Sequence, residues 1–183
     1  MIRPYIAAMD TLENWLVQER EILSRRDGAS RFGVATPADV AGLSGLEVMQ
    51  RIVRGELPMA PIGKTLDFYL VEASEGRAVF QGTPSPALLN PMGTVHGGWY
   101  ATLLDSALGC SVACSLPAGR GYTTAELGVN LVRGINPKVQ RVRAEGKVLH
   151  CGRQLATAEA KLYGPDGTLY AHGTTTCLVF EMK

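Results

Sequence analysis

The stretch NPMGTVHGGWYATLLDSALGCSVACSL, residues 90–116, contains the features that decide the fold. It begins as a loop rich in Pro, Gly and Asn, and from Gly97 to Leu116 it is one long apolar segment that Pro117 and Gly119 terminate. The length and composition of this segment predict a helix over 97–116. Because a helix this apolar is buried on most sides, we expect it to lie at the centre of the fold.

Strand-like segments flank this helix on both sides. Two precede it, joined by a tight turn at Ser74–Gly76, and four follow it, the last two joined by the turn Gly164–Gly167. The expected strands are Thr65–Ala73, Arg77–Gly82, Tyr122–Arg133, Val139–His150, Leu155–Tyr163 and Thr168–Phe180. This order predicts an α+β fold with the helix packed on a mainly antiparallel sheet.

The N-terminal residues have helical rather than strand-like patterns, so we expect a helical extension over 1–58 and the main domain over 59–183. The extension is expected to pack against the main domain or its oligomer. It should contain an amphipathic helix over 10–26, capped by Asp10 and ended by Gly28, a loop over 29–42, and a short helix opened by Ser44 with Glu47 three residues later.

Composition excludes several classes of function. The 183 residues suffice for one domain and an extension, and the 18 basic and 17 acidic residues nearly balance. Without a strong overall field, binding to nucleic acid or to a membrane surface is not expected. The chain lacks a signal-peptide pattern and a membrane-spanning run, which predicts a soluble cytoplasmic protein. The four cysteines form no CxxC pair and are expected to pack as small apolar side chains rather than to bind a structural metal.

Asp105 is the only Asp, Glu, Lys or Arg between Arg77 and Arg120, and it lies in the middle of the apolar helix. A carboxylate in apolar surroundings should be protonated, hydrogen-bonded, or open to a cavity that water and substrate enter. Asp105 is therefore a candidate catalytic carboxylate. The alternative is a surface helix whose small polar face consists of Thr102, Asp105, Ser106 and Gly109.

The start of the helix is a second candidate site. Gly97 and Gly98 bring backbone N–H groups to the first turn, where they lack helical partners and where the helix dipole favours an anion. The alternative is an ordinary loop-to-helix transition beside a packed or solvated His96. Gly97 and Asp105 are about 12 Å apart along a helix with a rise of 1.5 Å per residue, so one small carbonyl cannot contact both. If both act on one carbonyl, they belong to two chains of a symmetric dimer with two composite sites.

Thr124 is a third candidate, on the strand after the helix. Strict alternation would place Thr124 on the face opposite the main apolar row of that strand, which consists of Thr123, Ala125, Leu127, Val129 and Leu131. The alternative is a threonine that serves only strand propensity.

Three motifs occur in order: Asn90-x-x-Gly93-x-Val95-His96-Gly97-Gly98, Asp105 within residues 101–109, and Thr123-Thr124-Ala125-Glu126-Leu127-x-Val129-Asn130. Together they resemble the hotdog-fold acyl-CoA thioesterases of the PaaI (phenylacetate pathway) type, over about residues 60–181. The resemblance implies a long helix wrapped by a curved antiparallel sheet, and a homodimer that often assembles into a tetramer. It also implies thioester hydrolysis without a metal or redox cofactor, coenzyme A being part of the substrate.

The resemblance implies roles for individual residues. Gly97 would supply the oxyanion-hole N–H, and Asp105 of the partner chain would be the general base or the nucleophile. Asn90 and His96 would position the thioester, and Thr124 would hold the attacking water. Arg153, after Gly152, would contact the nucleotide part of coenzyme A.

A basic stretch suits the phosphates of coenzyme A. Residues 133–161 contain seven basic residues against two acidic ones, namely Arg133, Lys138, Arg141, Arg143, Lys147, Arg153 and Lys161 against Glu145 and Glu159. A basic rim of this kind attracts phosphate groups. The alternative for each residue is an ordinary solvated strand face.

Two other functions stay open at this stage: a hotdog hydratase or dehydratase, which needs a histidine and an acid placed for proton transfer, and a non-catalytic acyl-CoA-binding protein. The acyl group is open as well. An apolar pocket, with Trp99, Tyr100, Leu88 and Met92 as candidate lining residues, would accept an aryl-acetyl or a medium-chain acyl group.

Overall fold

A computed structural model describes residues 2–25 and 31–182, with side chains from Met9 onward. This part of the chain contains five helices and six strands, together with a 3-10 turn at Pro86–Leu88. In chain order they are α1 (Ile2–Ser24), α2 (Pro37–Val40), α3 (Gly45–Val53), α4 (Pro61–Leu66), β1 (Phe68–Ser74), β2 (Arg77–Gly82), α5 (Gly97–Ala113), β3 (Arg120–Leu131), β4 (Val142–Cys151), β5 (Leu155–Tyr163) and β6 (Leu169–Glu181).

The six strands form one curved antiparallel sheet in the order β1-β2-β4-β5-β6-β3, and α5 packs on one of its faces. Leu103, Leu104 and Leu108 of this helix are fully buried. The approach is closest at Gly146 of β4, where an added Cβ would lie 2.2 Å from the carbonyl oxygen of Ala107, so only glycine fits there. The predicted α+β fold with a central helix is confirmed.

The opposite face of the sheet is covered at β1 and β2 by α1. Phe68 and Leu70 of β1 face α5, whereas Tyr69 and Val71 pack in a second core with Ile22 of α1. This division follows from the alternation of side chains along a strand. The N-terminal extension therefore packs against the main sheet within the same chain.

A buried polar network joins α1 to the sheet around Glu19. Glu19 accepts hydrogen bonds from Tyr69 (2.5 Å), Gln81 (2.5 Å) and Arg141 (2.6 and 2.9 Å). Arg143 donates to Gln81, Gln18 and Glu72, and its guanidinium lies 4.5 Å from the ring centroid of Trp15. Because Arg141 and Arg143 are committed to this network, the prediction that they belong to a basic rim for coenzyme A is wrong.

The short helix opened by Ser44 is confirmed as α3. The Ser44 side chain accepts a hydrogen bond from the Glu47 N–H, and the Glu47 carboxylate accepts one from the Ser44 N–H, which forms a capping box. The loop expected over 29–42 contains the short helix α2, whose cap is a second box made by Thr36 and Asp39.

Other boundaries differ from the predictions. Helix α1 begins before Asp10, so Asp10 lies within the helix and does not cap it; Gly28, expected to end this helix, lies outside the described residues. Helix α4 was not predicted, and it displaces the start of β1 from Thr65 to Phe68. Helix α5 ends at Ala113 rather than at Leu116.

No helix in the described ranges is long and apolar enough to cross a membrane. All four cysteines are free thiols; Cys114 and Cys177 are buried, and Cys110 and Cys151 are half-buried. Among residues 2–25 and 31–182, no group of three or more His, Cys, Asp or Glu side chains is arranged to hold a metal ion.

Candidate active site

Helix α5 places Asp105, half-buried, on the one face of the helix that is polar. Its Oδ1 accepts a hydrogen bond from the Thr124 hydroxyl at 3.0 Å. The neighbouring hydroxyls are used within the helix, since Thr102 donates to the Gly98 carbonyl and Ser106 to the Thr102 carbonyl. The helix itself is central, with ten buried residues, so the alternative of a surface helix is wrong.

Asp105 opens into a cavity of about 260 Å³. The helix contributes Asp105, Ser106, Gly109 and Cys110, and β3 contributes Tyr122 and Thr124. The remaining lining residues are Met49, Ile52, Met59, Ala60, Ile62, Gly63, Phe68, Tyr69, Leu70 and Phe80, which are apolar apart from the hydroxyl of Tyr69. The site thus places one carboxylate, hydrogen-bonded to the Thr124 hydroxyl, in a mainly apolar pocket, and ligand sites usually combine a few polar groups with apolar walls in this way.

Thr124 reaches Asp105 because β3 contains a bulge. The pairing of β3 with β6 shifts between Thr124 and Glu126, so Ala125 is an additional residue. Tyr122 and Thr124 face α5 before the bulge, while Val129 and Leu131 face it afterwards. The expectation that Thr124 lies opposite the main apolar row is therefore wrong, since the bulge reverses the alternation and turns the threonine towards the helix.

The other candidate half of the site lies at the start of α5. His96 caps the helix, and its Nδ1 accepts a hydrogen bond from the Gly98 N–H at 2.9 Å. The Gly97 N–H has no acceptor among the described residues. This unpaired donor lies in a shallow depression of about 260 Å³ lined by Asn90, Thr94, Val95, Gly97, Tyr100, Leu131, Val132, Arg133 and Gly134.

The Asn90 side chain organises the loop before α5. Its Oδ1 accepts hydrogen bonds from the N–H groups of Met92 (2.9 Å) and Thr94 (3.2 Å), and its amide donates to the Thr94 hydroxyl (2.9 Å). These contacts fix the position of the loop next to Gly97. The further roles assigned to Asn90 and His96, in positioning a thioester, stay predictions.

The residues predicted to contact coenzyme A lie at two different places. Arg133 is exposed and shares the depression with Gly97. Gly152 and the exposed Arg153 lie at the turn between β4 and β5, where Arg120 donates a hydrogen bond to the Arg153 carbonyl. Arg153 lines a separate depression with Arg120, Gln154, Val179, Phe180 and Glu181.

A single chain does not bring Asp105 and Gly97 into one cavity. Asp105, in the middle of α5, lines the pocket beside β3, and Gly97 lines the depression at the start of the helix. Within residues 2–25 and 31–182, each of these places has one half of the predicted chemistry: a carboxylate in the first and an unpaired N–H donor in the second.

Cys110 and Tyr122 belong to the cavity and were not predicted as site residues. Burial raises the pKa of the Cys110 thiol to about 12, and burial also raises the pKa of Tyr122 well above its ordinary value. Since only the thiolate is a good nucleophile, Cys110 is not a candidate nucleophile at neutral pH.

The predicted lining residues Trp99, Tyr100, Leu88 and Met92 do not line the cavity at Asp105. The Trp99 indole is buried and donates to the Leu66 carbonyl at 2.8 Å, and Met92 is 85% exposed. The cavity is lined instead by residues of α3, α4 and the first strands. Alternation and apolar periodicity in the sequence identify these residues as buried, but they do not show which of them line a cavity.

Comparisons with known proteins agree with this architecture. A family model described as the thioesterase superfamily matches residues 92–171. A solved structure of a protein from the thioesterase superfamily is 32% identical to this chain, with a TM-score of 0.59, and the match covers 73% of this chain and 97% of the other. No protein in a search of curated proteins matches this chain significantly.

Two solved structures of phenylacetic acid degradation proteins have a similar fold. One, a phenylacetic acid degradation-related protein from Ralstonia eutropha, is 26% identical with a TM-score of 0.64, covering 71% of this chain and 98% of the other. The other is the PaaI protein of the phenylacetic acid degradation operon of E. coli, 18% identical with a TM-score of 0.59, covering 67% and 84%; at this identity it shows the fold alone. The predicted hotdog fold and the resemblance to the PaaI type are confirmed.

Proposed function

This chain belongs to the thioesterase superfamily, and we propose that it hydrolyses acyl-CoA thioesters with Asp105 as its catalytic carboxylate. The observation that carries this proposal is the position of Asp105, which is hydrogen-bonded to Thr124 at 3.0 Å and opens into a mainly apolar cavity. An acyl group can occupy such a cavity while its carbonyl carbon lies beside the carboxylate.

The hydrogen bond between Thr124 and Asp105 suggests how water is activated. Because the Thr124 O–H is donated to Asp105 Oδ1, the Thr124 oxygen can still accept a hydrogen bond through a lone pair. A water molecule that donates one hydrogen to Thr124 and the other to Asp105 directs its oxygen lone pair outward, towards a bound carbonyl. Asp105 then takes the proton as the water oxygen bonds to the carbonyl carbon, and the proton passes to the departing thiolate, which yields acid and free thiol.

Direct attack by Asp105 is the alternative form of this step. It would give an aspartyl anhydride and free thiol, and water would then release the acid. Label on Asp105 after a single turnover in H₂¹⁸O identifies the direct route. Attack by water puts the label into the first acid product, whereas anhydride hydrolysis at the aspartyl carbonyl leaves that label on the enzyme.

Gly97 supplies the second half of the proposed site. Its N–H is unpaired within the described residues, and the helix dipole adds partial positive charge at this end of α5. Such a donor stabilises the oxyanion that forms as the carbonyl is attacked. Because Gly97 and Asp105 of one chain line different cavities, we propose that each site pairs Asp105 of one chain with Gly97 of the partner in a homodimer, with a tetramer as the larger assembly.

Coenzyme A would then extend from the Gly97 end of the site. Arg133 is exposed in the same depression as Gly97, which makes it the proposed contact at the coenzyme A side of the site. Gly152 and Arg153 are the proposed contacts for the nucleotide part. No cofactor beyond the substrate is needed for this chemistry.

The alternative activities have less support. A hydratase or dehydratase requires a histidine placed for proton transfer at the acyl chain, whereas His96, next to Gly97, uses its Nδ1 to accept the Gly98 N–H of its own helix. A non-catalytic acyl-CoA-binding protein does not require a carboxylate in an apolar pocket.

The proposal is tested by replacing Asp105 with its uncharged isostere. We expect the purified protein to release thiol from octanoyl-CoA or phenylacetyl-CoA, and Asp105→Asn to lower kcat by about 10²-fold or more with little change in KM. Ser106→Ala is the matched control, because Ser106 lines the same cavity but donates its hydrogen bond to a helix carbonyl. Wild-type kcat in Asp105→Asn would overturn the mechanism, and a wild-type protein inert towards all acyl-CoAs would overturn the function.

A further inference from the structure

The cavity at Asp105 has a wall that belongs to the N-terminal part of the chain. Met49 and Ile52 lie three residues apart on α3, so they project from the same face of that helix. Ile62 and Gly63 come from α4, and Met59 precedes it. Asp105 and Thr124, which have the catalytic roles in the proposed function, come from α5 and β3 instead.

This wall is held in place by close backbone contacts. At the start of α3, the Gly45 N–H donates to the Leu116 carbonyl at 3.0 Å, which ties α3 to the segment after α5. At α4, a Cβ on Gly63 would lie 2.4 Å from the Phe68 carbonyl oxygen, so α4 sits directly on β1. The cavity is therefore a preformed pocket bounded by fixed elements, and its size is a property of the fold.

The size of the cavity limits what can bind. A cavity of about 150 Å³ lined by aliphatic and aromatic side chains holds a benzene molecule. At about 260 Å³, the cavity at Asp105 has room for a ring with a short linker or for an acyl chain of medium length. An acyl group of that size fills the pocket. The end farthest from its carbonyl therefore contacts the side chains of α3 and α4 rather than those of α5 and β3.

We propose that Met49 and Ile52 of α3, together with Ile62 of α4, determine the largest acyl group that the site accepts. The proposal rests on the proposed function, in which Asp105 acts on the carbonyl of the same acyl group. Met49 is the adaptable part of this wall, because its unbranched side chain fits ligands of different shapes, whereas Ile52 is branched and stiff.

Two substitutions with opposite effects test the inference. Ile52→Trp fills the pocket, so we expect kcat/KM for octanoyl-CoA and phenylacetyl-CoA to fall by about 10-fold or more while kcat/KM for acetyl-CoA stays within about twofold. Met49→Ala enlarges the pocket, so we expect the chain-length optimum to move towards longer acyl groups. Val48→Ala is the matched control, because Val48 lies on the same helix but is not among the lining residues.

A binding measurement separates this inference from the proposed function. Octyl-CoA thioether has no carbonyl and cannot be hydrolysed, and its affinity for each variant can be measured by calorimetry. We expect Ile52→Trp to weaken its binding by about 10-fold or more, and Val48→Ala to leave it unchanged. An unchanged substrate profile and unchanged thioether affinity in folded Ile52→Trp and Met49→Ala would overturn the inference and leave the proposed function intact. If the wild type hydrolyses no acyl-CoA, the proposed function fails. The thioether affinities still show whether Ile52 and Met49 limit the size of the group that the pocket binds.

Discussion

Gly97 is a residue at which the backbone N–H can be removed at little structural cost. It is the first residue of α5, a position that proline favours because the N–H there has no helical acceptor. The preceding residue, His96, already has the extended backbone that proline requires, with φ −64° and ψ 135°. Gly97→Pro therefore removes the proposed oxyanion donor, and we expect kcat in the thiol-release assay to fall by about 10²-fold.

Gly97→Ala is the control for this substitution, because it adds a Cβ and keeps the N–H. In both variants the new Cβ meets the end of the Leu131 side chain, at 2.7 Å, which can rotate away. We expect Gly97→Ala to retain most of the activity. Equal losses in the two variants would mean that crowding at Leu131, rather than the N–H, is responsible.

Thr124 shows what a sequence can and cannot specify at this scale. The motif around it was sufficient to nominate the residue, but the strict alternation of β3 placed it on the wrong face. The extra residue Ala125 is defined only by the register between β3 and β6, and a pattern along one strand contains no information about its neighbour. Arg141 and Arg143 show the same limit, since their charge was evident but the commitment of both to a network with α1 was not.

At the scale of elements, the contact between α1 and the sheet depends on the ionised form of Glu19. Burial alone would raise the pKa of Glu19, but hydrogen bonds from Arg141 and Tyr69 outweigh it, so the pKa lies below its ordinary value of 4.5. Glu19→Gln removes the charge and leaves Arg141 partly buried without its counter-ion. We expect the free energy of unfolding at pH 7 to fall by about 3 kcal/mol, measured by urea denaturation.

The pH dependence of this loss follows from the sign of the shift. A carboxylate whose folded pKa is lowered contributes stability that is fully present above its unfolded value of 4.5 and is lost as the pH falls through the lower folded value. The difference in stability between the wild type and Glu19→Gln should therefore shrink below pH 4.5. Glu13→Gln, at an exposed position of the same helix, is the control. If the difference in unfolding free energy between the wild type and Glu19→Gln is the same at pH 7 and pH 3.5, the stabilisation does not come from the ionised Glu19 carboxylate.

The bounds of a helix or strand were predictable where a local signal in the sequence marks them. Strands β2 and β5 have the predicted bounds, and α5 begins at the predicted Gly97, because turns, glycines and caps mark these limits in the sequence. Helix α4 was missed because six residues with a proline and a glycine give no helical periodicity. Its position is set by packing against β1, at the close contact between Gly63 and the Phe68 carbonyl.

At the scale of the whole molecule, the proposed site requires two copies of the chain. The sequence alone predicted this from the spacing of Gly97 and Asp105 along one helix, and the structure places them in separate cavities. The acyl pocket could not be predicted in the same way, because its lining residues are spread from Met49 to Thr124 and only the folded chain brings them together. The distance between two residues on one helix follows from the rise per residue, which is a local property. The shape of a pocket depends on every element around it.

The composite site makes a prediction that a site within one chain cannot meet. In a dimer of one Gly97→Pro chain and one Asp105→Asn chain, one site pairs the intact Gly97 with the intact Asp105, and the other site has both defects. An equimolar mixture after random exchange contains half heterodimers with one working site each, so thiol release should recover to about a quarter of the wild-type rate from two nearly inactive proteins. Subunit exchange can be verified by native mass spectrometry on chains of different mass. If exchange is complete and the rate stays at the level of the separate variants, Gly97 and Asp105 do not act across a dimer interface.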